Sequence, residues 1–113
     1  MAHADHLIEE AAHCFALLSD PTRLRVLSFL LEREEASVTE VAQAVGVTRT
    51  NVSQHLSRLL SAGMVARRRE GHSINYRVID DMLKPLCELV CSNLEERTGG
   101  LAARLENLEK LAR

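Results

Sequence analysis

The sequence predicts a mainly α-helical fold carrying one small β-hairpin, and three observations predict it. Apolar residues make up 46% of the 113-residue chain but aromatics only 3%, so the core is aliphatic, built largely from Leu, Val and Ala as packed helices are. Apolar residues recur at helical spacing through most of the chain. Strict alternation appears once, where Ile74, Tyr76 and Val78 are separated by Asn75 and Arg77. A chain of this length has room for one core, so residues 1–113 are expected to form a single domain.

The elements follow in order. Over 7–18, Leu7, Ala11, Cys14 and Leu18 repeat with Ile8, Ala12 and Phe15 beside them, which predicts a helix with a broad buried stripe. Ser19-Asp20-Pro21 ends it: Asp20 suits the cap of a second helix, and Pro21 its first turn, where the missing N–H has no partner to lose. This helix is expected to reach about Glu34 and to bury Leu24, Val26, Leu27, Leu30 and Leu31. Ser37-Val38-Thr39-Glu40 has capping-box spacing, so a short third helix starts there and stops at Gly46. Thr48 caps a fourth, whose Val52, Leu56, Leu59 and Leu60 share one face until Gly63. Residues 37–63 thus read as two helices joined by a glycine turn, a helix-turn-helix, and 64–78 as a hairpin wing turning at Glu70-Gly71-His72. A fifth helix is expected from about Asp81 to Glu96, with Leu83, Leu86, Cys87, Val90, Cys91 and Leu94 along one stripe and Pro85 early enough to be tolerated. Thr98-Gly99-Gly100 is expected to break it before a last short helix bearing Leu101, Leu105, Leu108 and Leu111.

The net charge of −2 hides a segregation. Residues 1–46 carry 3 basic and 8 acidic side chains, 47–78 carry 6 and 1, and 79–113 carry 5 and 7. The basic segment coincides with the second helix of the helix-turn-helix and with the hairpin, which is the distribution that major-groove reading requires: an exposed helix face for base edges, flanked by cations for phosphates. With Val52, Leu56, Leu59 and Leu60 turned inward, the outward residues are Arg49, Thr50, Asn51, Ser53, Gln54 and Arg58, with His55 at the edge. Gln54 or Asn51 suits adenine, and Arg49 or Arg58 suits guanine or phosphate. Arg67, Arg68 and Arg69 in the first strand and His72 at the tip are candidates for the DNA backbone or minor groove. Double-stranded DNA is the expected partner.

No apolar run approaches a membrane span, and Met1-Ala2-His3-Ala4-Asp5 lacks the basic and apolar blocks of a signal peptide, so a cytoplasmic protein is expected. Three cysteines without framework spacing fit a reducing compartment. No nucleophile–base pair, glycine-rich phosphate loop or carboxylate pair stands out, so an enzyme is not expected. A winged-helix module that binds protein instead of DNA is the alternative from another class; its partner binding would survive neutralisation of Arg67, Arg68 and Arg69.

The chain resembles the ArsR/SmtB family of bacterial metalloregulatory repressors. The resemblance rests on Leu18-Ser19-Asp20-Pro21-Thr22-Arg23-Leu24-Arg25-Val26-Leu27, on Val47-Thr48-Arg49-Thr50-Asn51-Val52-Ser53-Gln54-His55-Leu56 with Leu59, on Gly63-Met64-Val65, and on Gly71-His72-Ser73-Ile74-Asn75-Tyr76, covering about residues 10–96. It implies a winged helix-turn-helix repressor that is a homodimer through its first and fifth helices, here 7–18 and 81–112, and that leaves its operator when an inducer binds. Two of the family's inducer sites are largely missing. Its third-helix thiolate motif falls on Val38-Thr39-Glu40-Val41-Ala42, without cysteine, and its fifth-helix site falls on Asp80, Met82, Asn93 and Glu96, where only carboxylates remain.

What remains is Cys87 and Cys91, four apart on one helix face, and Cys14 on the helix expected to pack against theirs. Three thiolates suit a soft ion: arsenite or antimonite first, with cadmium, lead, mercury or zinc as further options. Side chains at i and i+4 have Cβ atoms about 5–6 Å apart, beyond the roughly 3.5–4.5 Å of a disulfide. An ordinary Cys87–Cys91 bond is therefore disfavoured, while a polysulfide link, or a bridge from Cys14, leaves a redox or reactive-sulfur switch open. Buried packing is the remaining alternative, because each cysteine sits in an apolar stripe. A second candidate metal set is His6, Glu10 and His13, at i, i+4 and i+7, with His3 for zinc or nickel.

Overall fold

The computed structural model describes residues 2–112, and side chains over 4–100 and 103–111. His3 and Leu101 therefore fall outside the described side chains. The elements are α1 (Ala2–Leu18), α2 (Pro21–Glu32), β1 (Ala36–Ser37), α3 (Val38–Val45), α4 (Arg49–Ser61), β2 (Val65–Glu70), β3 (Ser73–Val78) and α5 (Leu83–Ala112). They fall into two compact units, Met1–Asp80 and Asp81–Arg113.

In the first unit the local signals act as their chemistry dictates. The Asp20 carboxylate accepts from the Arg23 N–H at 2.8 Å, with Pro21 in the first turn of α2. Ser37 and Glu40 form the reciprocal capping box of α3, at 3.1 and 3.2 Å. Thr48 accepts from the Asn51 N–H at 3.1 Å to start α4. Gly46 ends α3 at φ 79°, a left-handed backbone that a side chain would strain. The core draws Val26, Leu27 and Leu30 from α2, Val41 and Ala42 from α3, and Val52, Leu56 and Leu59 from α4, closed by Met64, Val65 and Tyr76. Leu24 and Leu31, expected in this core, are half-buried; the deeply buried residue of the α2 start is Arg23.

The hairpin is larger than expected. β1 adds to it, so that the antiparallel sheet runs β1-β3-β2, with Ala36 opposite Tyr76 and Ser37 opposite Asn75. β2 pairs with β3 from Val65 opposite Val78 to Glu70 opposite Ser73, around a two-residue turn whose Gly71 has φ 63°. Positive φ at the first turn residue matches the type II′ geometry that suits twisted strands.

α1 departs from expectation in its surroundings. Leu7, Ile8 and Phe15, assigned to a buried stripe, are 66%, 68% and 61% exposed, and among the described side chains of α1 only Cys14, Leu17 and Leu18 are half-buried.

The second unit is dominated by α5, a single 30-residue helix that corrects the expected break at Thr98-Gly99-Gly100. Neither glycine leaves the right-handed region. The cost of about 1 kcal/mol per glycine is outweighed by good helix formers on both sides, and the Thr98 hydroxyl donates back to the Leu94 carbonyl at 2.9 Å. Leu83 is buried and Leu86 and Cys87 half-buried, while Leu89, Val90, Leu94, Leu105, Leu108 and Leu111 are all exposed. No helix among the described residues is long and apolar enough to cross a membrane.

Candidate functional site

α4 has the two faces a reading helix needs. Val52, Leu56 and Leu59 are fully buried, which turns Arg49, Thr50, Ser53, Gln54 and Arg58 to solvent. An open groove of about 640 Å³ lies beside the α4 N-terminus, lined by Thr39, Arg49, Thr50, Ser53, His72 and Ile74. Arg49, Thr50 and Ser53 of the recognition helix therefore share one concave surface with the wing-tip histidine, while Gln54 and Arg58 are exposed outside its lining. Thr39 and Ile74 belong to it as well, and neither was singled out from the sequence because neither lies on the outward face of α4 or carries charge.

Two expected readers stand elsewhere. Asn51 is half-buried, with its Oδ1 enclosed. His55 is turned toward the start of α2: its Nδ1 accepts from Arg23 Nε at 3.3 Å, and its Nε2 lies 3.7 Å from Asp20 Oδ2. Because arginine only donates, Nδ1 must be the bare nitrogen, which leaves the hydrogen on Nε2, facing the carboxylate. Arg23, 6% exposed, also donates from Nη1 to the Leu17 carbonyl at 2.9 Å. One buried guanidinium thus joins the last turn of α1 to the middle of α4. Asp20 completes the cluster; the Arg23 backbone N–H first, with the nearby His55 and Arg23 side chains adding to it, holds its carboxyl below the usual range against the opposing effect of desolvation. The sequence displayed Asp20 and Arg23 but gave no sign of a partner 32 residues on.

The arginine triplet is not uniform either. Alternation puts Arg67 and Arg69 on one face of β2 and Arg68 on the other, and all three are exposed. Arg68 is engaged: Nε lies 2.7 Å from Glu35 Oε1, and Nη2 donates to Glu70 Oε2 at 3.3 Å.

The thiols divide between the units. Cys14 on α1 and Cys87 on α5 are half-buried, Cys91 is exposed, and all three are free. Burial pushes the Cys87 thiol above its ordinary value, and the neighbouring Cys91 adds to the shift. On α1, His6 Nε2 lies 3.9 Å from Glu10 Oε1 on an exposed face. Among the described residues no group of three or more His, Cys, Asp and Glu side chains is gathered to hold a metal ion.

Comparison with known proteins places this architecture. Residues 18–68 match the helix-turn-helix domain family. The chain is 38% identical over 81 residues to the probable mercury resistance operon repressor of Streptomyces lividans, a match covering 72% of this chain and 64% of that protein's length. Among solved structures, the homodimeric winged helix-turn-helix domain of a possible ArsR-family regulator from Mycobacterium bovis superposes with a TM-score of 0.77 at 30% identity, over 87% of this chain and 90% of that one. The AntR antimony-specific transcriptional repressor gives 0.73 at 32% identity, over 87% and 85%. The matched residues, the buried face of α4 and the three-stranded wing agree, and the chain belongs to the ArsR/SmtB family of winged helix-turn-helix transcriptional repressors.

Proposed function

We propose that two copies of this chain bind a pseudo-palindromic operator in cytoplasmic DNA, and that capture of a soft thiophilic ion by Cys14, Cys87 and Cys91 weakens that binding and starts transcription. The outward row of α4 carries the DNA-binding half: Arg49, Thr50, Ser53, Gln54 and Arg58 are all exposed, and the first three line the groove that reaches the wing tip. Gln54 and Arg58 read base edges, while Arg67, Arg69 and His72 engage the backbone. The exposed apolar residues of α1 and α5, Leu7, Ile8, Phe15, Leu89, Val90 and Leu94, support a homodimer, since monomers rarely present so much apolar surface to water.

The inducer half rests on donor chemistry. Three thiols with no carboxylate or imidazole among them favour As(III) or Sb(III), with Cd, Pb, Hg or Zn as further ligands. Relatives named for mercury resistance and antimony specificity support a thiophilic inducer. The inducer lowers operator affinity only as far as it prefers the free dimer. A second reading, a redox or reactive-sulfur switch, is favoured by one observation: Cys91 is exposed next to Cys87, open to oxidants.

The test is fluorescence anisotropy of the reduced protein on its own promoter DNA, titrated with arsenite, beside a variant with Cys14, Cys87 and Cys91 all replaced by Ser. Release of the parent but not the variant supports the metalloid site. Release by a polysulfide donor alone supports the redox reading, and release by neither removes the cysteines from the mechanism.

A further inference from the structure

We propose that Glu35 limits non-specific DNA affinity by masking Arg68, so that the wing meets phosphates with Arg67 and Arg69 and withholds the arginine between them. The proposal rests on the DNA-binding reading above and concerns a residue that lies outside the helix-turn-helix and the hairpin.

Three features place the carboxylate. After α2 ends, Glu34 adopts φ 35°, a left-handed turn uncommon for a residue with a side chain, and the chain swings into β1. Glu35, the next residue, is thereby set against the wing, with its side chain 27% exposed and its Oε1 2.7 Å from Arg68 Nε. On the other side of the guanidinium, Glu70 Oε2 lies 3.3 Å from Arg68 Nη2 and also accepts from Asn75 Nδ2 at 3.2 Å, Asn75 being the residue opposite Arg68 across the hairpin.

Two carboxylates on one guanidinium leave that spot with a net negative formal charge. A phosphate approaching Arg68 meets repulsion where the sequence alone suggests attraction, and the raised pKa of Arg68, caused first by its bond to Glu35, accords with a saturated cation. Arg67 and Arg69, on the opposite face of β2, have no such partner among the ion pairs of the described residues. The masking serves selectivity, because a phosphate contact strengthens binding to every sequence alike, while base contacts by α4 strengthen binding to the operator alone.

The experiment measures the affinity of the full chain for a random-sequence duplex across a series of salt concentrations, for the parent, for Glu35→Gln, and for Glu35→Gln combined with Arg68→Gln. Each additional neutralised phosphate steepens the dependence of log K on log salt by about 0.9. Glu35→Gln is expected to steepen the slope by about that amount for each protomer on the duplex, about 1.8 for the dimer, and to tighten binding at least about fivefold near 0.1 M salt; the double variant is expected to lose that gain. An unchanged slope or weaker binding in Glu35→Gln overturns the proposal, as does a double variant as steep as the single one. A parent chain with no salt-dependent binding would instead remove the DNA-binding reading itself, and the masking with it.

Discussion

Replacing Arg23 with Ala should destabilise the fold by about 3 kcal/mol, and the figure can be built from its bonds. Arg23 as a residue is 6% exposed, so little water reaches its donors. The Nη1 bond to the Leu17 carbonyl, at 2.9 Å, is charge-assisted and contributes about 1.5–3 kcal/mol. The Nε bond to His55 Nδ1 is longer, at 3.3 Å, and adds about 1 kcal/mol. The Asp20 cap survives, because it takes the backbone N–H of residue 23 and not the side chain. Arg23→Lys keeps the charge but not the forked geometry, so it should fall between the parent and Ala, at about 2 kcal/mol. The assay is urea denaturation at one fixed protein concentration, since dimerisation makes apparent stability depend on it. A double-mutant cycle with His55→Phe isolates the contact between Arg23 and α4: a coupling of about 1 kcal/mol is expected. A total loss below about 1 kcal/mol, or strictly additive variants, would refute the view that Arg23 fastens the reading helix to the end of α1.

Further expectations concern the caps, the reading face and the thiols. Ser37→Ala removes one half of the capping box and should cost about 1 kcal/mol in thermal unfolding. Gln54→Ala should weaken operator binding by about 1–3 kcal/mol while leaving binding to a random duplex within twofold, which competition anisotropy separates. Because folding raises the Cys87 pKa, its contribution to stability is complete below the unfolded thiol's pKa and is lost as pH rises through the folded value; Cys87→Ser should flatten the alkaline fall in stability. For the same reason the affinity for a divalent ion such as Cd²⁺, which needs thiolates, should rise with pH across the neutral to alkaline range in calorimetric titration. Asp20 has the opposite sign: its lowered pKa gives a contribution present above the unfolded carboxyl's pKa and lost as pH falls through the folded one, so Asp20→Asn should flatten the acid limb.

The parts of the fold that were legible in the sequence are those decided within a few residues. The Ser37 and Glu40 box, the Thr48 and Asp20 caps and the Gly46 stop each involve atoms no more than four positions apart. The spacing of Val26, Leu27, Leu30, Val52, Leu56 and Leu59 located the core, because that face has its partners within the same unit. Leu7, Ile8 and Phe15 have equally good spacing, but periodicity reports an apolar face without saying what covers it. β1 escaped because two residues carry no period and its pairing with Tyr76 and Asn75 is set nearly forty residues away. At Gly99-Gly100 a local breaker was overruled by its flanks. In the candidate site, Arg49, Thr50, Ser53, Gln54 and Arg58 followed from the buried face of α4, whereas His55 and Arg68 did not, since what diverts each is a charged residue distant in sequence.

The engagement of both nitrogens of His55 has a chemical consequence. With Nδ1 given to Arg23 and Nε2 facing Asp20, the imidazole inside the helix-turn-helix offers no lone pair to a passing metal ion. The sequence has no cysteine between Cys14 and Cys87, so the stretch that would touch DNA carries no thiol. The thiols proposed to hold the inducer and the side chains that face DNA thus belong to separate vocabularies on one short chain. Under the proposed function, substitutions at positions 14, 87 and 91 are expected to change the response to the inducer while the DNA sequence read by α4 stays the same.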